Sequence, residues 1–509
     1  MSLAGAEVKD SFSTLIEPET LLLLTGVNDL LAGQGIESYV VGGLVRDVLL
    51  RRDTADIDIA VDSDALEVAR GVAATLGGKY VLLDRVNRVG RVVLADEGET
   101  STRKQRELDL STFSGSIEQD LSRRDFTIDA MAVSLSRLAK GFTDVQLIDP
   151  FHGQDDLYQR VVRVVSDTAF ESDGVRLLRA VRLAAELGFN IDKKTESLIQ
   201  RHSHLIASVP GERVRDELLR LLTVSDAGQL LGYVDKLGLL TAVFPELAGT
   251  KGIEQPKEHF WDVFEHSLKT VTAVDFLLRR GAWEYASDEV LAAVPWSETL
   301  VQHFDQEVSY GSTRRTLLKL AGLLHDVAKP QTKTIEAGGR ARFLGHAREG
   351  AAIAANVLQR LRFSIREVKL VEALVTHHLR PVQMSQNALP TRRAVYRYFR
   401  DTADASLDVL FLSLADHLAT RGPHLDLPNW KEHVRVVEYV LSQRFQEESI
   451  VHPPKLVDGH DLINIFGMRP GPEIGEVLEA LREAQASGEI TTREAALAYI
   501  CDSLLGKAG

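Results

Sequence analysis

Residues 39–61 read YVVGGLVRDVLLRRDTADIDIAV, and this stretch decides how the N-terminal part of the chain folds. Residues 39–41 are β-rich and end at the glycine pair Gly42 and Gly43, which predicts a strand closed by a tight turn. A helix-compatible segment follows, and a second β-rich run begins near Asp56. The stretch therefore predicts a strand–turn–helix–strand unit of a mixed domain.

The polar residues of this stretch indicate phosphate and metal chemistry. Gly42 and Gly43 would let a phosphate approach backbone N–H groups at the start of the following helix. Asp56 and Asp58 are two residues apart on a predicted strand, so both carboxylates face one side. Such a pair can hold two divalent ions about 3.5–4 Å apart, and Asp109 on another predicted strand could supply a third carboxylate. Each feature alone is more often structural, but the combination is much more specific.

The rest of the chain divides into a mixed part and a helical part. Up to about residue 155, β-rich runs at residues 91–94 and 108–113 occur together with a helical pattern at residues 64–76. After residue 155, long amphipathic helical patterns dominate and β-rich runs are rare. The clearest helical patterns cover residues 176–188, 213–222, 312–327, 349–361, 365–377 and 406–419. We therefore expect an α+β protein whose α/β head is followed by all-helical domains.

The composition is that of an ordinary globular protein. Of 509 residues, 44% are hydrophobic and 26% are charged, and this length gives a prior of about three domains. The net charge of −14 confines any nucleic-acid contact to one face. No apolar run approaches the ~20 residues of a membrane span, and the single Cys501 excludes an intrachain disulfide. We expect a soluble cytoplasmic protein without membrane contact.

Residues 42–47 (GGLVRD) and 56–58 (DID) resemble the first motif of the nucleotidyltransferases that mature tRNA 3′ ends. These are the bacterial-type (class II) CCA-adding enzymes, with their relatives the bacterial poly(A) polymerases. The resemblance implies a polymerase-β-like head in which Asp56 and Asp58 bind catalytic Mg²⁺. It also implies a nucleotide-binding role for a second set of residues, Gly42, Gly43 and Arg46. Arg51 stands where the family usually has glycine.

Residues 120–131 (DLSRRDFTIDAM) are similar to the second motif of this family. The resemblance implies that Arg124 and Asp125 recognise the ribose of the nucleotide, which agrees with the donor and acceptor capacities of the two side chains. Asp129 stands where the family usually has asparagine. Residues 149–153 (DPFHG) resemble the third motif, a hinge between head and neck.

Residues 173–176 (DGVR) resemble the fourth motif, which selects bases without a nucleic-acid template. Cytosine and adenine both present an amino donor beside a ring-nitrogen acceptor, so Asp173 can accept and Arg176 can donate. Uracil and guanine present the opposite order and would leave polar groups unpaired. We expect both residues one turn apart on one helix, where spacing alone would indicate a surface ion pair. Ser172 departs from the family's glutamate.

The next helical stretch contains two arginines that could meet primer or triphosphate charge, Arg179 and Arg182. Glu212-Arg213 looks like the fifth motif, which supports the neck. Residues 459–462 and 467–475 resemble the tail signature that contacts tRNA.

A second constellation lies in the helical half, where His325-Asp326 follows an apolar helix. Together with His266 and Asp416 it resembles the HD phosphohydrolase superfamily, which implies that these four residues bind one divalent metal. Imidazole and carboxylate ligands suit Mn, Fe, Ni, Co or Mg. Three further histidines could hold a second metal, His346, His377 and His378. For His346 and His378 we expect the commoner structural role of a helix cap or a satisfied polar residue.

These observations predict four domains and one main function. The predicted domains are the head (1–155), the base-selecting neck (156–245), the HD domain (246–425) and the tRNA-contacting tail (426–509). The predicted function is template-independent addition of C and A residues (CCA) to tRNA from CTP and ATP by two-metal catalysis at Asp56, Asp58 and Asp109. The HD domain adds a possible phosphohydrolase activity.

Two alternatives remain open. The first is a poly(A) polymerase, or an enzyme that adds only CC or only A, on the same catalytic site. The second is an HD-type phosphohydrolase whose head only binds nucleotide. The sequence also leaves open the oligomeric state, the HD substrate, and the choice between a transition metal and Mg²⁺ at the HD site.

Overall fold

The computed structural model describes residues 15–53, 56–94, 106–140, 146–384, 389–446 and 454–505. The chain divides into two compact units, Met1–Val209 and Pro210–Gly509. The four-domain scheme subdivides these units further and stays a prediction.

The first unit is built on one mixed β-sheet. Its seven strands among the described residues are β1 (Ser38–Val41), β2 (Asp56–Val61), β3 (Lys79–Asp84), β4 (Val89–Leu94), β5 (Arg106–Thr112), β6 (Ala132–Ser134) and β7 (Leu147–Ile148). They lie in the order β3-β4-β5-β2-β1-β6-β7. β2 and β5 are parallel, and the other neighbours are antiparallel. The strands predicted from the sequence are β1, β2, β4 and β5.

Helices cover the sheet because their apolar faces bury against it. The helix Ala65–Leu76 begins at Asp64, whose side chain accepts the N–H of Leu66, and ends at Gly77 in the left-handed conformation. Its buried face packs on β4 and β5. The other helices of this unit are Pro18–Gly33, Gly43–Leu49, Ile117–Leu121, Leu135–Ala139, Gly153–Gln159, Ala169–Ser172, Arg176–Leu187 and Lys193–His202.

The second unit is helical, as the sequence predicts. Its longer helices are Gly211–Thr223, Ala227–Lys236, Val263–Leu277, Glu298–Asp305, Arg314–Leu324, His346–Arg360, Ile365–His377, Arg392–Thr402, Ser406–Arg421, Leu427–Gln446, Gly459–Phe466, Pro472–Ala486 and Arg493–Leu505. Two small strand pairs interrupt the helices of the described chain here, Glu307–Ser309 with Ser312–Thr313 and Lys333–Ile335 with Ala341–Phe343.

Three of these helices form a buried scaffold: Val263–Leu277, Arg314–Leu324 and Ser406–Arg421 pack on one another. Lys319 on the second helix forms a 2.5 Å ion pair with Asp275 on the first, and both side chains are buried. The Lys319 ammonium group also donates to the backbone carbonyl of Leu222. Because a buried pair tolerates little displacement, these contacts fix the helices that carry the candidate metal ligands.

Among the described residues, no helix is both long and apolar enough to cross a membrane.

Candidate functional site

The turn after β1 brings the backbone directly against a carboxylate. Gly42 has φ +69°, and a Cβ there would lie 2.9 Å from Asp58 Oδ2 and 2.8 Å from Arg124 Nη1. Both the conformation and the space therefore require glycine. Gly43 is less constrained, since the nearest atom to its Cβ would be Arg46 Nη2 at 3.5 Å.

The sheet register gathers the predicted carboxylates. Asp58 on β2 lies directly opposite Asp109 on the parallel strand β5, and Asp56 lies opposite Glu107. Asp56 is exposed, whereas Asp58 and Asp109 are half-buried. Because side chains alternate along a strand, Asp56 and Asp58 share one side, as predicted. All three predicted carboxylates thus lie on two neighbouring strands.

Arg91 also belongs to this site, although no motif of the sequence predicts it. It lies on β4 opposite Asp109, and its Nε and Nη2 donate to the two oxygens of Asp109 at 2.7 and 2.8 Å. It also contacts Glu107. A planar two-point contact of this kind fixes the orientation of a carboxylate. Only the pairing of β4 with β5 reveals it.

The acidity of Asp58 on β2 is strongly perturbed. Burial raises the pKa of Asp58 to about 6; Arg124 opposes this shift, and the neighbouring acidic groups, Asp109 among them, add to it. A half-buried carboxylate short of positive charge fits a divalent cation, whose binding would favour its ionised form.

A layer of arginine–aspartate pairs surrounds the turn. Arg46 Nη1 donates to Asp129 Oδ1 at 2.7 Å, and its Nε and Nη2 donate to Asp47. Asp129 is the position where the family pattern has asparagine, and here its carboxylate holds a predicted nucleotide-binding arginine. Arg124 Nε lies 3.5 Å from Asp120 Oδ2.

Asp125, predicted to contact ribose, is engaged within the protein. Its Oδ1 accepts the N–H of Phe126 at 3.0 Å, and its Oδ2 lies 3.0 Å from Arg179 Nη1. Burial acts in the opposite direction, but Arg179 and Arg176 hold the pKa of Asp125 below its usual value. The carboxylate is therefore an ionised acceptor with a fixed orientation.

The predicted base-selecting pair is arranged differently from the expectation. The helix begins at Arg176, and Asp173 lies before it, after the short helix Ala169–Ser172. The expectation that both residues lie on one helix is therefore wrong. The reason is local: the Asp173 backbone is extended, with φ −157° and ψ 105°. Its Oδ1 accepts the N–H of Val175 at 3.3 Å.

Arg176 is anchored by neighbouring groups. Its guanidinium group donates to the carbonyls of Ala169 at 3.2 Å and Arg123 at 2.9 Å, and to Ser172 Oγ at 3.1 Å. Ser172, a departure from the family pattern, thus supports the predicted base-reading arginine. The contact with Arg123 connects the start of this helix to the segment that carries Arg124.

The two arginines that follow are ion-paired. Arg179 pairs with Asp125, and Arg182, only 5% exposed, lies 2.6 Å from Glu186 Oε2. Their contacts with primer or triphosphate stay a prediction.

The four predicted HD residues come together in the second unit. His266 Nε2 lies 3.1 Å from His325 Nε2, 3.1 Å from Asp416 Oδ1 and 3.4 Å from Asp326 Oδ2. His325 Nε2 lies 3.2 Å from Asp326 Oδ2. His266 and Asp416 project from buried scaffold helices, and His325 and Asp326 directly follow the third.

His346 and His378 lie against this cluster; the structural role expected for them stays a prediction, and His378 is also a member of a potential ligand group. His346 Nε2 lies 3.3 Å from Asp326 Oδ1 and 3.4 Å from His378 Nε2. Two overlapping ligand groups result, His266 with His325 and Asp416, and His325 with Asp326 and His378. His377 belongs to neither group of the described chain. The sequence shows two adjacent histidines but not which of them faces the site.

Backbone carbonyls orient the ligand nitrogens. Nδ1 of His325 lies 2.8 Å from the Gly322 carbonyl, and Nδ1 of His378 lies 2.7 Å from the Val375 carbonyl. A histidine that donates its Nδ1–H in this way presents the Nε2 lone pair to a metal.

The protonation states also suit a metal. Burial lowers the pKa of His378 to about 3 and that of His266 below its usual value. Burial has the same effect on His325, but the adjacent carboxylate of Asp326 outweighs it and raises the pKa. Despite their burial, the neighbouring histidines hold the pKa values of Asp326 and Asp416 well below the usual range. Ionised carboxylates beside the imidazoles of His266 and His378, whose pKa values favour the neutral form, fit a divalent metal.

A cavity of about 450 Å³ opens onto this cluster. Asp326, His346, His378 and Asp416 are in its wall. Basic residues line the same cavity, Lys329, Arg340, Arg342 and Arg421. A metal-ligand cluster within a basic cavity can bind an anionic ester.

Four family models match successive parts of the chain. The poly A polymerase head domain matches residues 38–163, and the probable RNA and SrmB-binding site of polymerase A matches residues 188–250. The HD domain matches residues 263–421, and the putative tRNA nucleotidyltransferase domain 2 matches residues 343–500.

Curated relatives match nearly the whole chain. The A-adding tRNA nucleotidyltransferase of Deinococcus radiodurans is 33% identical, over 91% of this chain and 94% of that protein. The CC-adding tRNA nucleotidyltransferase of Thermus thermophilus is 32% identical, over 91% of this chain and 93% of that protein. The family resemblance identified from the motifs is thereby confirmed.

Solved structures share the fold. The Thermotoga maritima CCA-adding enzyme complexed with tRNA superposes with a TM-score of 0.60 at 23% identity, covering 97% of this chain and 98% of that one. A CCA-adding enzyme in complex with CTP gives a TM-score of 0.62 at 22% identity, with 97% of each chain covered. The predicted α+β architecture is confirmed.

Proposed function

The chain belongs to the family of bacterial tRNA nucleotidyltransferases, and on this premise we propose that it adds C and A residues to the 3′ end of tRNA, taking them from CTP and ATP. The main support for this proposal is the way in which the carboxylates are arranged in the head. Asp56 and Asp58 share one side of β2, and Asp58 lies opposite Asp109 on β5. Relatives named for tRNA nucleotide addition cover this chain nearly end to end.

The head carboxylates would hold two Mg²⁺ ions, which supply charge neutralisation for the attacking hydroxyl, the triphosphate and the leaving pyrophosphate. Asp56 and Asp58 provide the ligand oxygens. Asp109, oriented by Arg91, completes the carboxylate set beside Asp58. Gly42 lets Asp58 and Arg124 approach the turn, because no side chain projects from the backbone at that point.

Base selection is assigned to Asp173 and Arg176. Arg176 is held by two backbone carbonyls and Ser172, so its remaining donor capacity has a defined direction. Asp173 lies where the backbone turns into the helix. An acceptor from Asp173 beside a donor from Arg176 would match the pairing edges of cytosine and adenine and mismatch those of uracil and guanine.

The test uses three tRNA transcripts, ending at the discriminator base, after C and after CC. Each is incubated with the purified full chain, Mg²⁺, and CTP, ATP or both, and the 3′ ends are read. Growth of all three transcripts to CCA and no further is the expected result. No addition to any transcript would overturn the proposal.

The same assay separates the alternatives within the family. Relatives that match the whole chain are named A-adding and CC-adding enzymes, so addition of only CC or only A would assign this chain to one of those activities. A long A tract would identify a poly(A) polymerase. Each of these outcomes leaves the catalytic carboxylates in the same role.

A second function is favoured by a separate observation, the two overlapping ligand groups of the HD site. This site would hold divalent transition metals or Mg²⁺, which supply an activated water and polarise a phosphoryl group. His266, His325, Asp326 and Asp416 provide one set of ligands, and His346 and His378 extend it. The proposed activity is hydrolysis of a phosphate ester.

The HD activity is tested with bis-p-nitrophenyl phosphate and p-nitrophenyl phosphate in the presence of Mn²⁺, Ni²⁺, Co²⁺ or Mg²⁺. Release of p-nitrophenol that depends on the added metal is expected. His378→Ala should reduce both the rate and the amount of metal bound, whereas the neighbouring His377→Ala, outside both ligand groups, should change neither. Metal-independent release, or none with any metal, would exclude the HD activity.

A further inference from the structure

Two arginine side chains line the HD cavity without an acidic partner among the described residues. Arg340 directly precedes the hairpin strand Ala341–Phe343, and Arg421 is the last residue of the scaffold helix Ser406–Arg421. In the part of the chain that the structure describes, neither side chain has a hydrogen bond or a carboxylate within ion-pair distance. Both border the cavity of about 450 Å³ that contains the metal ligands.

The other two cations of the cavity are already neutralised. Arg342 pairs with Glu336 at 2.5 Å. The Lys329 ammonium group lies 2.6 Å from Asp326 Oδ2 and donates to Gln255. Lys329 is therefore part of the metal cluster and Arg342 part of the hairpin, which leaves Arg340 and Arg421 as the unpaired positive charges among the described residues of the wall.

These two arginines are offset from the metal ligands. Arg421 follows Asp416 by five residues on one helix, which corresponds to about 7.5 Å along the helix axis. Arg340 is exposed on the hairpin, whereas Asp326 is buried. A phosphate at the ligand cluster would have its charge met by the bound metal, so the two arginines are available to a different anionic group.

Two uncharged polar atoms complete the wall. His259 Nδ1 and His417 Nε2 are both inaccessible to solvent and have no hydrogen-bond partner among the described residues, and both histidines line the cavity. Buried polar atoms are normally paired, so these nitrogens suit the hydroxyl groups or base of a bound nucleotide.

We propose that the HD cavity takes a nucleotide that carries two phosphate groups, one at the His–Asp cluster and one held by Arg340 and Arg421. The inference rests on the proposed hydrolytic function of this site. The reaction is ordinary hydrolysis: water adds to the phosphorus, the ester P–O bond breaks, and the ribose oxygen leaves with a proton. From adenosine 3′,5′-bisphosphate the products are an adenosine monophosphate and inorganic phosphate.

The test compares adenosine 3′,5′-bisphosphate with adenosine 3′-monophosphate and 5′-monophosphate on the metal-loaded full chain. A KM about tenfold lower for the bisphosphate is expected, because a charge-assisted contact of this kind contributes at least that factor. In Arg340→Gln and Arg421→Gln the ratio of the KM values should fall toward one. Arg342→Gln is the matched control, since its guanidinium group is held by Glu336, and it should keep the preference.

A binding measurement distinguishes this inference from the hydrolytic function. Adenosine 3′,5′-bisphosphate is titrated calorimetrically into wild-type and Arg421→Gln protein, both without metal. The two proteins have identical heads, so a difference in binding comes from the HD cavity. Weaker binding by the variant supports the phosphate contact even if no ester is hydrolysed. Equal binding by the two proteins, equal KM values for one and two phosphates, or loss of the preference in Arg342→Gln would overturn the inference.

Discussion

The site around Asp58 and the site around Asp326 both gather acidic groups, but their surroundings affect those groups in opposite ways. In the head, burial raises the pKa of Asp58 to about 6, and nearby carboxylates add to the shift. In the HD site, neighbouring histidines hold the pKa values of Asp326 and Asp416 well below the usual range despite their burial. Burial thus disfavours the charged form of Asp58, whereas the neighbouring histidines favour the charged forms of Asp326 and Asp416.

The difference also concerns geometry. The head ligands lie on strands and reach a partly open surface, where Asp56 is exposed. The HD ligands are enclosed by packed helices, and His266, His325 and Asp326 are at most 1% exposed. An open carboxylate site suits exchange of Mg²⁺ with each nucleotide, and an enclosed imidazole site suits a retained metal. We therefore expect the two sites to fail independently.

The largest effects should come from removing one carboxylate in each site. Asp58→Asn should reduce nucleotide addition by about 10³-fold or more, because a neutral amide cannot replace a charged metal ligand. Asp326→Asn should reduce phosphate-ester hydrolysis by a similar factor. Both activities are measured in both variants, and each variant should keep the activity of the other site, which also shows that it is folded. Loss of both activities in either variant would contradict independent sites.

Gly42→Ala should have the next largest effect. A Cβ there would lie 2.9 Å from Asp58 Oδ2 at a φ of +69°, so the turn must shift away from the carboxylate. We expect nucleotide addition to fall about tenfold or more and the head to lose about 1–2 kcal/mol of stability. Rates and thermal melting are compared with those of Gly43→Ala, whose nearest neighbour would be a guanidinium nitrogen at 3.5 Å. Equal effects of the two substitutions would refute the steric argument.

Arg176→Ala tests a property that the HD site lacks, the choice of base. Removing the guanidinium group should lower the preference for CTP and ATP over UTP about tenfold, since one hydrogen-bond donor to the base is lost. Single-nucleotide incorporation with each triphosphate measures the preference. The exposed Arg201 provides the control, because Arg201→Ala removes a positive charge from another helix of the same unit. An unchanged preference in Arg176→Ala would count against the template role.

The smallest effect should be a shift with pH. Above a pKa of about 6 the Asp58 carboxylate is ionised and can bind a cation; below it the group is protonated and neutral. Nucleotide addition should therefore decline as the pH falls through about 6. Because protons and cations compete, tenfold more Mg²⁺ should lower the midpoint by up to about one pH unit. A midpoint that does not respond to Mg²⁺, measured between pH 5 and 8, would argue against Asp58 as a ligand.

Elements and residues whose evidence is local could be predicted from the sequence. The spacing of Asp56 and Asp58 on one strand follows from alternation, and the helix at residues 365–377 has the predicted bounds. The dipeptide His325-Asp326 after an apolar helix is the local feature on which the resemblance to an HD site begins. Such features depend on neighbours within one or two turns, which a sequence displays directly.

Contacts between distant segments could be found only in the tertiary structure. Strand pairing places Arg91 on Asp109, and helix packing turns His346 and His378 toward Asp326, 20 and 52 residues away along the chain. Packing also places the carbonyl of Arg123 against Arg176, 53 residues further along the chain. Register and packing are set by the sum of many weak contacts, so no single motif of the sequence specifies them.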